Sequence, residues 1–288
     1  MINDAERNQF YQQALGNVQG KTVLDIGAGT GLLSVIAVTQ GAHRVYSFER
    51  DINNYNTAKK FIDQSGLGDR IHLICADILE VDQKVWPHDP IDVTITETFA
   101  NDCFIENFAF LVEYVEKHFN LAPGHRWIPE SVDLNLDLIN VDRAPEFCPG
   151  VDLPEQYQTQ IEQAVQIYRD YFYHKNSLDQ HGQTINMPVS QILPTDLDQL
   201  TLVDTYLVDV DLRKNLDQVR YHVTLDHTHL AHPYIKVNWV VHSGDHSLNL
   251  NQAISWRNIA FKVDPTLGNK FYFRFNPHTH ALIGTQHA

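Results

Sequence analysis

The run Val23-Leu24-Asp25-Ile26-Gly27-Ala28-Gly29-Thr30-Gly31-Leu32-Leu33 constrains this chain more than any other stretch. An apolar segment enters a turn with three alternate glycines, and a helical segment leaves it. A second apolar segment ends at Glu49, 24 residues after Asp25. This layout predicts a nucleoside-binding α/β crevice. Glycines let the backbone approach a ligand where a Cβ would collide, and an acid at the carboxyl end of the second strand can accept both hydroxyls of a ribose. The G-x-G-x-G spacing of Gly27, Gly29 and Gly31 differs from the dinucleotide pattern G-x-G-x-x-G. It suits S-adenosylmethionine, which has no pyrophosphate to seat on a helix N-terminus.

The surrounding pattern extends that reading. Strands are expected at 22–26, 44–49, 70–75 and 91–96, with helices at 5–17, 31–41, 53–64 and about 104–119. Strands alternating with helices imply a doubly wound, mainly parallel, Rossmann-like sheet. Ala122-Pro123-Gly124 reads as a turn and Trp127-Ile128-Pro129 as a short strand. After Pro129 the grammar changes to period two, at 133–139, 206–212 and 221–225, with further strand candidates at 235–241, 259–263 and 271–275. Such a series predicts an antiparallel barrel or sandwich. Residues 154–173 read as helical, within an insertion of about 150–190. The expected division is therefore 1–129 for cofactor binding and 130–288 for the β domain.

With 43% hydrophobic residues the chain can build a sizeable core. No apolar run approaches the roughly 20 residues that span a bilayer, so no membrane partner is expected. Cys75, Cys103 and Cys148 lie far apart. They form neither a disulfide framework nor a metal spacing, which fits a reducing, cytoplasmic location. A formal charge of −15 makes nucleic acid a poor partner. It would steer a cationic substrate into an acidic cleft. The 16 histidines include His227-Thr228-His229 with His232, and His278-Thr279-His280. Without a matching cysteine or acid set they read as solvated loop residues, and no metal site is expected.

The loop after the fourth strand, Thr96-Glu97-Thr98-Phe99-Ala100-Asn101-Asp102-Cys103-Phe104-Ile105-Glu106, falls where α/β sheets place their ligands. Glu97 and Glu106, nine residues apart, can be folded onto one small cavity. Two close carboxylates repel unless a cation lies between them, and a planar guanidinium matches that need in bidentate pairs.

With these motifs the chain resembles the protein arginine N-methyltransferases over residues 1–140, and more weakly to the C-terminus. The resemblance implies a nucleotide-type α/β domain followed by a β-barrel with an inserted helical dimerisation arm, and hence a homodimer. It assigns the glycine motif, with Asp25, and Glu49 to S-adenosylmethionine. It assigns Arg7, four residues before Tyr11, to the methionine carboxylate of that cofactor, and Asp77-Ile78 to its adenine. Glu97 and Glu106 match the family's double-glutamate loop and would be catalytic. The family's Trp-Met-Gly-Tyr after the first glutamate is Thr98-Phe99-Ala100-Asn101 here, and its Thr-His-Trp loop matches Ser255-Trp256 by the tryptophan. Phe99, Asn101, Ser255 and Trp256 are thus the substrate-side candidates. The family's Tyr-Phe-rich closing helix precedes the arginine, and this sequence starts too late to contain it.

The function implied is methyl transfer to a guanidino nitrogen of arginine in a peptide or protein. The changed loop leans towards a small guanidino or amino metabolite such as free arginine, and the retained barrel towards the parent activity. A non-catalytic cofactor-binding scaffold, or an O- or C-methyltransferase with Glu97 as general base, remain the alternatives.

Overall fold

The computed structural model describes residues 2–81, 89–99, 108–141, 177–178, 184–185, 200–210, 220–231, 233–250, 259–264, 266–275 and 282–286. The expected helix at 154–173 lies outside them. Two compact units emerge. One comprises Met1–Asp133 with Asp209–Arg213 and Trp239–Trp256; the other comprises Leu134–Val208, Lys214–Asn238 and Arg257–Ala288.

The first unit is built on a parallel sheet of five strands: β1 (Thr22–Ile26), β2 (Arg44–Glu49), β3 (Ile71–Cys75), β4 (Ile91–Thr96) and β5 (Leu121–Ile128). Their order is β3-β2-β1-β4-β5, and the register runs in parallel throughout. Val23, Leu24 and Ile26 of β1 are buried, as a central parallel strand covered on both faces requires. The order reverses direction between β1 and β4. That switch point is where open α/β sheets open a ligand crevice beyond the strand ends.

Helices α1 (Ala5–Leu15), α2 (Leu32–Thr39), α3 (Ile52–Ser65) and α4 (Phe108–His118) accompany the sheet. Helix α3 starts because the Asp51 carboxylate accepts from Asn53 N and Asn54 N, each at 2.9 Å, and it stops at Gly66 in the left-handed region. Helix α1 has no basic residue in its last turn. Arg126 of β5 supplies the cation instead, donating to Ala14 O at 2.8 Å and Leu15 O at 2.7 Å, where the helix dipole favours positive charge.

The strands Ser177–Leu178, Thr184–Ile185 and Leu282–Gln286 were not anticipated, and two further differences lie in the first unit. Ala122-Pro123-Gly124 is not a turn between elements but an excursion inside β5. Leu121 pairs with Ile91, the chain bulges out, and pairing resumes at Arg126 opposite Val93. Gly124 takes φ 80°, which supplies the bend without ending the strand. Strand β12 (His246–Asn249) was not anticipated. It pairs back on β11 (Pro233–Ser243) across a two-residue loop, from Val240↔Asn249 to Ser243↔His246.

The second unit is antiparallel where its registers are described. It contains most of β6 (Ser131–Val141), with β7 (Ser177–Leu178), β8 (Thr184–Ile185), β9 (Leu200–Val210), β10 (Arg220–Thr224), β13 (Ile259–Lys262), β14 (Lys270–Phe275) and β15 (Leu282–Gln286). The period-two reading of 133–139 corresponds to β6, where Leu134, Leu136 and Leu138 are all fully buried. β13 pairs antiparallel with β11 through residues 234–237, and β10-β14-β15 form a second sheet. Phe261, Phe271 and Phe273 cluster with ring centroids 5.0–6.1 Å apart. Gly284 lies under these rings: a Cβ there would press into Phe271 and stand 3.0 Å from Phe261. Gly284→Ala is therefore expected to lower stability by about 2 kcal/mol through overpacking, read as an earlier denaturant midpoint at unchanged slope.

Candidate functional site

The glycine turn is held against the second strand by its own backbone. Gly27 N and Ala28 N both donate to Phe48 O, at 2.9 and 2.8 Å. Gly27, Gly29 and Gly31 all have positive φ, from 54° to 80°. At two of them space is also restricted: a Cβ on Gly27 would lie 3.1 Å from Thr98 Cγ2, and one on Gly31 would lie 3.3 Å from Ile62 Cδ1. Gly29 N donates to Glu49 Oε2 at 2.8 Å, and Asp51 N donates to Glu49 Oε1 at 2.8 Å. Each carboxylate oxygen thus carries one backbone donor and keeps lone-pair capacity for a second.

A cavity of about 720 Å³ opens here, lined by Gly27, Gly29, Glu49, Asp77, Ile78 and Glu97 among others. That volume lies within the usual range of ligand sites. Asp77 caps a short 3-10 turn by accepting from Leu79 N at 3.0 Å, which leaves Ile78 packed inward at the cavity wall. Glu49 therefore sits at the β2 end of the cleft, and Glu97, directly after β4, joins its lining.

A smaller recess beside it is lined by Arg7, Glu97 and residues 27–30. Helix α1 brings Arg7 there. Asp4 caps the helix by accepting from Arg7 N at 3.2 Å, and Tyr11 Oη donates to Thr96 O at 2.8 Å. The guanidinium carbon of Arg7 stands 5.4 Å from the Tyr11 ring centroid, within cation–π range. Arg7 Nη2 donates to Glu97 Oε2 at 2.5 Å, with both side chains almost wholly buried at 6% and 4% exposure. Nη1 donates to Asn8 Oδ1 at 2.8 Å. Arg7 Nε, also buried, has no hydrogen-bond partner among the described residues. A buried donor without an acceptor is costly, so Arg7 Nε is the donor here that an anionic group would satisfy, although the recess itself encloses only about 10 Å³.

Two candidates take other places. Asp25 lines neither cavity and is fully buried. It accepts from Ser34 Oγ at 2.5 Å and from Ser47 Oγ at 3.3 Å. Phe99 also lines neither cavity; it is buried with its ring centroid 4.8 Å from that of Phe108. Glu106, Asn101, Ser255 and Trp256 lie outside the described residues. No cluster of His, Cys, Asp or Glu suited to a metal occurs among the described residues. His227 is not a solvated loop residue as expected but fully buried, its Nε2 3.5 Å from Gln286 Nε2. His229 is exposed, with Nδ1 3.4 Å from Asp226; His232, His278 and His280 lie outside the described residues.

Burial pushes the Asp25 carboxyl up from 3.8 to about 6, against the lowering effect of the two serine hydroxyls. The sign of the linkage follows. Between about pH 4 and 6 the folded protein holds a proton the unfolded chain has lost, so stability falls as pH rises through that window. The expected change is up to about 3 kcal/mol, measurable as the urea midpoint at pH 4.5 against pH 7, and it should be absent in D25N.

Residues 9–109 match the family described as ribosomal protein L11 methyltransferase (PrmA), a span that contains the glycine turn, Glu49 and Glu97. The chain is 34% identical over 140 residues to histone-arginine methyltransferase CARMER of Anopheles gambiae, covering 47% of this chain and 21% of that one. It is 32% identical over 144 residues to an arginine N(omega)-methyltransferase of Streptomyces achromogenes subsp. streptozoticus, covering 49% and 40%. A crystal structure of PRMT6 superimposes with a TM-score of 0.62 at 15% identity, covering 99% and 98%.

Over about half its length this chain is similar to arginine methyltransferases.

It spans less than half the length of these two curated relatives. The sequence singles out Arg7, Glu49 and Glu97 as separate candidates but not the contact between Arg7 and Glu97, which are 90 positions apart. Nor does it single out Ser34 and Ser47. Their only signal is a hydroxyl inside the apolar runs Leu32-Leu33-Ser34-Val35-Ile36 and Val45-Tyr46-Ser47-Phe48. A polar atom so placed needs a partner once buried.

Proposed function

We propose that this chain is an S-adenosylmethionine-dependent methyltransferase acting on a guanidino nitrogen of arginine in a peptide or protein. One observation carries the reading: Glu97, on the cleft that also holds Glu49 and the glycine turn, already binds a guanidinium, that of Arg7, at 2.5 Å. When bound, the cofactor supplies an electrophilic methyl on its sulfonium. Glu49 takes the ribose hydroxyls, Asp77 and Ile78 hold the adenine, and Arg7 takes the carboxylate, while the glycine turn with the tethered Asp25 shapes the wall. Glu97 and Glu106 clasp the substrate cation and draw its charge away from the attacking nitrogen. A guanidinium stays protonated at physiological pH, so its reactivity depends on this positioning and on preorganised charge. Asn101, Ser255 and Trp256 would belong to the substrate side, while Phe99 packs against Phe108. No metal is required, because the sulfonium carbon is itself the electrophile.

The acidic balance of the chain favours a cationic partner. The related proteins named as histone-arginine and arginine N(omega)-methyltransferases support a guanidino substrate. We further read residues 130–288 as a β-barrel with a dimerisation arm at about 150–190, and the protein as a cytoplasmic homodimer. A solved structure of similar fold, the heterotetrameric PRMT1 enzyme-prozyme complex of Trypanosoma brucei, supports assembly in general. No helix among the described residues is long and apolar enough to cross a membrane.

The test incubates the protein with methyl-labelled cofactor and, in separate arms, Arg-rich peptides and free arginine. Label in peptide arginine is the expected result. Label only in free arginine moves the substrate to the small-molecule class. Cofactor binding with no transfer to any guanidine overturns the enzyme reading and leaves a scaffold. Sedimentation of the purified protein checks the dimer.

A further inference from the structure

Beneath the glycine turn lies a cluster with no part in the proposed chemistry. Asp25, at the carboxyl end of β1, is fully buried. Its Oδ2 accepts from Ser34 Oγ at 2.5 Å, and Ser34 Oγ lies 2.8 Å from Ser47 Oγ. A second, longer contact joins Ser47 Oγ to Asp25 Oδ2 at 3.3 Å. Both hydroxyls are fully buried. Asp25 Oδ1 has no hydrogen-bond partner among the described residues, so the two serines provide the described hydrogen bonds offsetting its burial.

The positions of the three residues give the cluster its meaning. Ser34 is in the first turn of α2, the helix that Gly31 opens. Ser47 lies two residues before Glu49 and one before Phe48, whose carbonyl anchors Gly27 and Ala28. Contacts among one carboxylate and two hydroxyls therefore fasten the start of α2 and the end of β2 to the strand that delivers the glycines. Arg7 and Glu49 are the charged groups that act on the Asp25 carboxyl, with opposite signs.

We propose that Ser34 and Ser47 are positioning residues for the cofactor, acting through Asp25 to fix the glycine turn and Glu49 at the spacing a ribose needs. This deepens the methyltransferase reading and rests on it. Losing either hydroxyl leaves the buried carboxylate with half of its described partners, a change large enough to shift the turn. Neither serine lines the cleft or the recess beside it, so neither is placed as a catalytic residue.

Calorimetry with S-adenosylhomocysteine on the purified full chain, alongside thermal melting and steady-state transfer, tests this. S47A and S34A are each expected to raise the Kd for S-adenosylhomocysteine and the KM for cofactor about tenfold. The KM for the guanidino substrate should stay within about twofold and kcat fall less than about threefold. The S34A/S47A double variant should lose little more than the worse single, because the cluster acts as one unit. D25N should bind as weakly as S34A while melting no lower than the wild type at pH 7.5, a divergence that a purely structural role would not produce. Should S34A fail to fold, S47A and D25N decide the matter. Unchanged cofactor affinity in the folded variants overturns the tether while leaving the cofactor reading intact. A wild-type protein that does not bind S-adenosylhomocysteine overturns the cofactor reading, and the tether with it.

Discussion

Glu97→Gln is expected to cost at least about a hundredfold in methyl transfer, the scale seen when one preorganised electrostatic group is removed. It should also lower the unfolding free energy by about 3 kcal/mol, because it leaves the Arg7 guanidinium buried without its counter-charge. The two effects separate in a double variant. Glu97→Gln with Arg7→Met removes both charges, so most of the stability should return while the transfer rate stays low. Urea denaturation and label transfer to an Arg-rich peptide read the two quantities on the same samples. Retention of more than half the wild-type rate by Glu97→Gln would remove this carboxylate from the chemistry. Stability that does not recover in the double variant would show that the Arg7–Glu97 contact is not what the single change broke.

Glu49→Ala is expected to weaken S-adenosylhomocysteine about a hundredfold, the loss of about two charge-assisted hydrogen bonds. Part of that loss is local. Gly29 N and Asp51 N both donate to this carboxylate, so its removal loosens the glycine turn as well as freeing the ribose. Glu49→Gln keeps an oxygen for one of the two donors and should lose only about tenfold. Calorimetry distinguishes the two variants, and rates at saturating cofactor should change far less than the affinity. Equal affinity for wild type and Glu49→Ala would falsify the assignment of this acid to the nucleoside.

The first half of the fold was legible because its strands are covered on both faces. Residues 23–26 and 45–48 read as apolar runs broken by one polar residue each, and a parallel sheet with crossover helices is the arrangement that buries them. β5 was misread because Pro123-Gly124 carries turn chemistry, and sequence alone does not distinguish a bulge from a stop. β12 was passed over because His246-Ser247-Leu248-Asn249 is short and half polar, although Gly244-Asp245 between two strands is a recognised hairpin signal. At the site, the glycines and Glu49 declared themselves by spacing. The Arg7–Glu97 contact did not, since nothing local marks two residues that meet only after α1 crosses the end of β4. Asp25 was assigned to the ligand by its motif, yet its carboxylate turns inward to two serines. A motif fixes which backbone bends, and the buried side of that bend is decided by packing.

The fastening of α1 bears on how a shorter version of this protein should be cut. Tyr11 bonds the backbone at Thr96, and Arg126 bonds the backbone at Ala14 and Leu15. A fragment trimmed to begin at β1 would strand a guanidinium and a strand-end carbonyl that the excised segment had satisfied, and would uncover the Phe10 and Leu15 contact surface. Any recombinant boundary intended to yield a soluble nucleoside-binding half must therefore lie upstream of Asp4.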